Sequence, residues 1–285
     1  MGPGKTIRQH GVFLLPNALT TGALFAGFYS IIAGINGDFS AAAVAVVVAG
    51  LLDGLDGRVA RLTNTQSDFG VQYDSLCDLI SFGLAPALLA FNWSLKSLAV
   101  YGATMGKLGW LAAFVYMACA ALRLARFNTQ AESDDKQYFQ GLASPAAAGT
   151  LVSTVWFFAD NQVQGDSVAW LMLPLTVLLG MLMFSQIRYI SFKTWPKRER
   201  VPIAWIFILV LLLVLLSVNT PAVLMTLGIV YVSSGLVVTF IGRRNWKSKR
   251  AQRFARRFER ASGKVPGEAE DSPAEETQQP DEPTP

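Results

Sequence analysis

The sequence predicts an all-α chain that crosses a membrane about eight times, with both termini on the cytoplasmic side. Three observations carry this expectation. Of 285 residues, 52% are hydrophobic and only 15% charged, against roughly 25% charged in soluble domains. Apolar stretches near the ~20 residues needed to cross a bilayer recur along the chain. The Lys and Arg residues gather in alternate connections, the pattern by which short cytoplasmic loops are marked.

The expected spans cover 12–35, 39–60, 73–92, 107–127, 141–159, 167–187, 201–217 and 220–241. The first follows Lys5 and Arg8 and lacks a small-residue cleavage site, so it reads as a retained span. The second ends at Arg58 and Arg61, and a polar turn over 62–72 leads to a third that starts among Asp74 and Asp78. Arg123 and Arg126 close the fourth, and Pro145 bends or starts the fifth. Arg188, Lys193, Lys197, Arg198 and Arg200 separate the sixth and seventh; Arg243 and Arg244 follow the eighth. The opposite connections hold only Lys96, with Lys107 at the start of the fourth span. Eight spans thus put every basic cluster on one side.

The membrane domain is expected over 1–242. Residues 243–264 carry ten Lys or Arg and one acid, with Trp246, Phe254 and Phe258 at helical spacing. A basic amphipathic segment beside a span suits anionic lipid headgroups, or serves only to fix topology. Residues 265–285 are acidic and proline-rich, a composition that stays disordered. Cys77 and Cys119 lie in apolar stretches and suggest neither a disulfide framework nor a zinc site. His10 is the one histidine, so histidine base chemistry is not expected. No nucleic-acid partner is expected either.

Four acids stand out against this apolar background. Asp53, Asp56, Gly57, Ala60 and Arg61 share one helix face, at offsets of 3, 4, 7 and 8 from Asp53. Asp74 and Asp78, four apart, share a face of the next span. Ionisable groups at membrane depth are costly and mark sites that bind something. Two adjacent antiparallel helices can aim all four carboxylates at one point. Held together they need cations, and hard oxygen ligands suit magnesium, manganese or calcium. Two such ions could bridge a diphosphate, with Arg61 beside it to meet phosphate. Gly57, Ala60 and Gly70 leave room for a ligand at the backbone; alone they would read as small-residue helix packing.

This string, D-x-x-D-G-x-x-A-R-x8-G-x3-D-x3-D, resembles the signature of the CDP-alcohol phosphotransferase family, with Asp53, Asp56, Gly57, Ala60, Arg61, Gly70, Asp74 and Asp78 at the fixed positions. The resemblance implies a membrane enzyme that displaces CMP from a CDP-linked substrate with an alcohol. It implies divalent cations, Mg2+ or Mn2+ and two in number, held by Asp53, Asp56, Asp74 and Asp78, with Asp78 the base toward the incoming hydroxyl. Gly57, Ala60, Arg61 and Gly70 would then face the CDP-lipid. Leu15 to Phe28, Ala121 to Asn128 and Phe139 to Ala148 are similar to the serine-accepting branch of that family, although Ala23 stands where that branch often has asparagine. The branch implies CDP-diacylglycerol and L-serine as substrates, a homodimer, and a bacterial plasma membrane with the site facing the cytoplasm. Arg123, Arg126 and Asn128 suit an amino-acid acceptor, because arginine pairs bidentately with carboxylates; they could equally anchor topology or hold phosphate. Other acceptors are glycerol phosphate, inositol phosphate or choline. A cation-coupled transporter is a further alternative, but the acids gather on one hairpin rather than in paired halves.

Overall fold

The computed structural model describes residues 4–63, 67–130, 139–185, 187–189 and 203–237. The His10 side chain, the basic loop 190–200, the basic segment 243–264 and the acidic tail 265–285 lie outside the described residues. Helices form at every expected position: α1 (Gly4–Ile35), α2 (Phe39–Thr63), α3 (Asp68–Asp78), α4 (Ala85–Trp93), α5 (Ala103–Gln130), α6 (Ser144–Asp160), α7 (Ala169–Phe184) and α8 (Ile203–Val218). A last helix, α9, runs over Thr220–Val237. A π-helical turn, Leu79–Leu84, joins α3 and α4 into one rod from Asp68 to Trp93.

Among the described residues, five helices are long and apolar enough to cross a membrane: those over 16–35, 39–63, 68–93, 103–129 and 220–237. α6, α7 and α8 are apolar but only 17, 16 and 16 residues long. The polar connection expected over 62–72 is shorter than its composition suggested. α2 continues to Thr63, and α3 starts at Asp68 because the Ser67 side chain accepts the Gly70 N–H, a regular N-cap.

Small residues set the packing. α1 lies along α2 through Ala23, Ala26 and Ala33 on one side and Ala42, Ala43, Val46 and Ala49 on the other, all buried. Backbones separated by alanine approach closely, which is how helices associate where lipid removes the hydrophobic drive. Phe25, Phe28, Ile32, Phe207, Leu211 and Val218 face outward, exposed, as a lipid-facing surface requires.

The π turn is clamped from two sides. A Cβ on Gly27 of α1 would come within 2.9 Å of the Ser81 Cα, so only glycine allows this approach. Ser81 Oγ donates to the Ala23 carbonyl at 3.1 Å, and the buried Tyr116 of α5 donates its hydroxyl to the Phe82 carbonyl at 3.2 Å. Gly27→Val should lower the unfolding midpoint in detergent. The cost of forcing this backbone contact is about 1–3 kcal/mol, and an unchanged midpoint would show that α1 does not press on the turn.

Connections meet at both ends of the bundle. The α5–α6 and α7–α8 connections form a two-residue antiparallel pair, Phe139 with Tyr189 and Gln140 with Arg188. This pairing has no periodic signal in so short a segment. Gly141 closes it with φ +88°, its N–H bonded to the Ile187 carbonyl at 2.8 Å; a Cβ there would collide with the Met183 carbonyl. At the other end Ser94 Oγ, after α4, donates to the Gly165 carbonyl, between α6 and α7, at 2.6 Å.

Candidate active site

Three of the four expected acids meet, and Asp78 is not among the three. Asp53, Asp56 and Asp74 each offer a carboxylate oxygen, and these atoms lie within 4.8 Å of one another. Asp56 is 5% exposed, so the acids are not a solvated loop. Asp78 lies one helical turn beyond Asp74, on the same face of α3. Carboxylates gathered this closely repel one another unless a cation sits between them. The donor set is all oxygen, on two adjacent helices, and fits a hard divalent cation.

Helix α1 supplies a contact the sequence did not mark. Thr20 Oγ1, buried, lies 2.7 Å from Asp56 Oδ2 and donates to it, sharing its proton with the Pro16 carbonyl at 3.0 Å. A hydrogen bond to a carboxylate fixes the orientation of the ligand oxygen. At the next residue, Thr21 Oγ1 and Tyr73 Oη are 2.9 Å apart, so α1 also grips α3. Neutral hydroxyls leave no charge pattern, which is why spacing did not reveal them.

The remaining expected site residues divide. Gly57 faces open space where a Cβ would meet nothing within 4 Å, and Gly54 does the same. Ala60 is half-buried and Arg61 is exposed. Gly70 is tighter than expected, because a Cβ would lie 3.1 Å from Ser67 Oγ and 3.7 Å from Asn17 Oδ1. Its small size serves the N-cap as much as any ligand.

On α5, Arg123 Nη1 donates to Ser144 Oγ at 2.8 Å, at the first turn of α6. Its Nε is buried and has no hydrogen-bond partner among the described residues. The guanidinium lies within electrostatic range of Asp78 and of Tyr231 from α9. Asn128 spends both amide atoms on Ser75, donating from Nδ2 at 3.0 Å and accepting at Oδ1 at 3.3 Å, which ties α5 to α3. Arg126 is half-buried, and its carbonyl accepts from Thr129 Oγ1 at 3.0 Å. An open apolar cleft of about 310 Å3 lies between α2, α6 and α9, lined by Val46, Gly50, Phe82, Gly149, Leu227 and Tyr231. Ser144 and Tyr231 were not expected. The first precedes a proline in a small-residue run, and the second sits in an apolar helix with no charge nearby in sequence.

A sequence model of the CDP-alcohol phosphatidyltransferase family matches residues 13–182, more than half of the chain. The chain belongs to the CDP-alcohol phosphatidyltransferase family. The matched stretch contains α2 and α3, and so all four acids, as well as Arg123 and Ser144; it ends before α8 and α9. The CDP-diacylglycerol–serine O-phosphatidyltransferase of Helicobacter pylori (strain ATCC 700392 / 26695) is 41% identical over 185 residues, 64% of this chain and 74% of that one. The enzyme of the same name from Methanocaldococcus jannaschii is 34% identical over 187 residues, 66% of this chain and 78% of that one. The archaetidylserine synthase of Methanothermobacter thermautotrophicus is 34% identical over 177 residues, 61% of this chain and 69% of that one.

Proposed function

We propose that this enzyme transfers a phosphatidyl group from CDP-diacylglycerol to the hydroxyl of L-serine, giving phosphatidylserine and CMP. The observation that carries this reading is the cluster of Asp53, Asp56 and Asp74, with Asp78 on the same face of α3 as Asp74. The names of the relatives from H. pylori and M. jannaschii support it. The acids hold the cations, magnesium or manganese and two in number. Bound there, divalent cations supply positive charge against the diphosphate and the departing CMP.

The chain's own residues do the rest. The serine oxygen bonds to the phosphorus that carries diacylglycerol, while the bond from that phosphorus to the CMP oxygen breaks. The hydroxyl proton passes to Asp78, and CMP leaves with the electron pair. Gly57, Ala60 and Gly70 give the CDP group backbone access, and Arg61 meets phosphate. The open apolar cleft takes an acyl chain, as its lining suits. Arg123 and Arg126 receive the acceptor, and Asn128 keeps α5 against α3.

The test is CMP release by purified protein given CDP-diacylglycerol and, in parallel, serine, glycerol phosphate, inositol phosphate or choline. Release with serine is the expected result. Release only with another alcohol rejects serine and leaves the phosphotransfer reading intact.

The eight-span topology places the acids near the cytoplasmic face, and the pairing of the α5–α6 connection with the α7–α8 connection supports it. Cysteines placed at 37 and 163 should label from outside the cell, and those at 130, 195 and 270 should stay protected. Outside labelling at 270 would overturn this orientation. A homodimer and contact of the basic segment with anionic lipid complete the reading.

A further inference from the structure

We propose that Ser144 is the positioning residue of the acceptor site: it holds Arg123 so that the Nε edge of its guanidinium receives the carboxylate of the acceptor. The inference rests on the serine reading above. A guanidinium has two edges that can grip a carboxylate in parallel hydrogen bonds. One pairs Nη1 with Nη2; the other pairs Nε with Nη2 and faces away from Nη1. Ser144 Oγ occupies Nη1 at 2.8 Å. That contact takes one of the two Nη1 hydrogens, fixes the guanidinium, and leaves the Nε edge unengaged by Ser144.

The second edge has the marks of a reserved one. Nε is buried with no hydrogen-bond partner among the described residues, an uncommon state for a donor on a charged group, because buried donors are nearly always paired. The same guanidinium is within electrostatic range of Asp78, the acid proposed to take the proton from the hydroxyl. Serine carries its carboxylate and its hydroxyl on adjacent carbons. One small molecule can therefore span from an arginine edge to a base nearby.

Ser144 is suited to hold the arginine because it is itself fixed. It is fully buried, sits in the first turn of α6 with Pro145 next to it, and follows the connection pinned by Gly141 and Leu142 to α7 and its C-terminal flank. Tyr231 bounds the same spot from α9, beyond the region matched by the family.

The experiment uses the purified full chain, CDP-diacylglycerol in mixed micelles, and CMP release as readout. Serine is titrated at fixed lipid, and the lipid at fixed serine. A parallel series uses serinol, which replaces the carboxylate of serine by a hydroxymethyl group. For Ser144→Ala we expect the KM for serine to rise about tenfold, the loss of one hydrogen bond to a charged group. The expected kcat and KM for the lipid stay within about twofold. Preference for serine over serinol should shrink by the same factor, and Ser144→Thr should restore the KM for serine. If Ser144→Ala does not fold, Ser144→Cys, close in size and a weaker hydrogen-bond partner, is measured in its place. An unchanged KM for serine overturns the proposal, as does a rise in both KM values together or a fall in kcat alone. Absence of serine-dependent CMP release by the unaltered enzyme overturns the acceptor reading, and this inference with it. Serine-dependent release with an unchanged KM in the variant overturns only the inference.

Discussion

Asp53→Asn, Asp56→Asn, Asp74→Asn and Asp78→Asn should each leave the protein inserted and folded while CMP release falls below about 1% of the unaltered rate. The reason differs by position. Asp53, Asp56 and Asp74 present carboxylate oxygens within 4.8 Å of one another, and an amide at any of them halves the ligand atoms and removes the charge that a divalent cation needs. Asp78 loses the capacity to take a proton, a contribution on the order of 10²–10⁴-fold by itself. EDTA should stop the reaction of the unaltered enzyme, and added magnesium or manganese should restart it. Thr20→Val removes the hydrogen bond to Asp56 without touching an acid, so its loss should be smaller than any of the four. Near-normal turnover in two of the asparagine variants would end the assignment of these acids to a metal site.

Arg123→Lys should raise the apparent KM for serine about 10- to 150-fold, with much less change for CDP-diacylglycerol. Lysine keeps the charge but lacks the planar fork, and a charge-assisted hydrogen bond lost at a partly buried position costs about 1.5–3 kcal/mol. The Ser144 contact at 2.8 Å makes the arginine geometry specific, so the lysine ammonium cannot serve Ser144 and the acceptor together. Arg126→Lys, at the next turn of α5, measured alongside, separates a carboxylate receptor from a general need for positive charge. Unchanged serine dependence in both variants would remove these arginines from the acceptor site.

The acids were legible because charge in an apolar chain is conspicuous and because helix geometry turns offsets of three and four into a shared face. The same logic located the helices, since twenty apolar residues have few other uses. Partners without charge escaped it. Thr20 reaches Asp56 across 36 residues of sequence, and nothing in its neighbours distinguishes it from Thr21. Ser144 and Tyr231 come from helices whose sequence reads as plain membrane span, so their nearness to Arg123 depends on packing between α5, α6 and α9. Asn128 was expected at the acceptor because it closes the same segment as Arg123. Its tie to Ser75 on α3, 53 residues away in sequence, had no local signal. The polar residues over 62–72 suggested a long turn, whereas Ser67 caps a helix that starts earlier.

The π turn over Leu79–Leu84 acts as a phase shifter within one rod. A turn that holds one residue more than an α-turn offsets everything before it from everything after it, and a single residue in an α-helix is worth 100° of rotation. The acid-bearing face of Asp74 and Asp78 and the apolar face of Ala87 and Leu89 therefore follow separate angular frames, although they share an axis. Removing one residue from this turn would bring the two halves into a common frame. The rod would still pack through its apolar half, and the carboxylates would rotate out of alignment with Asp53 and Asp56.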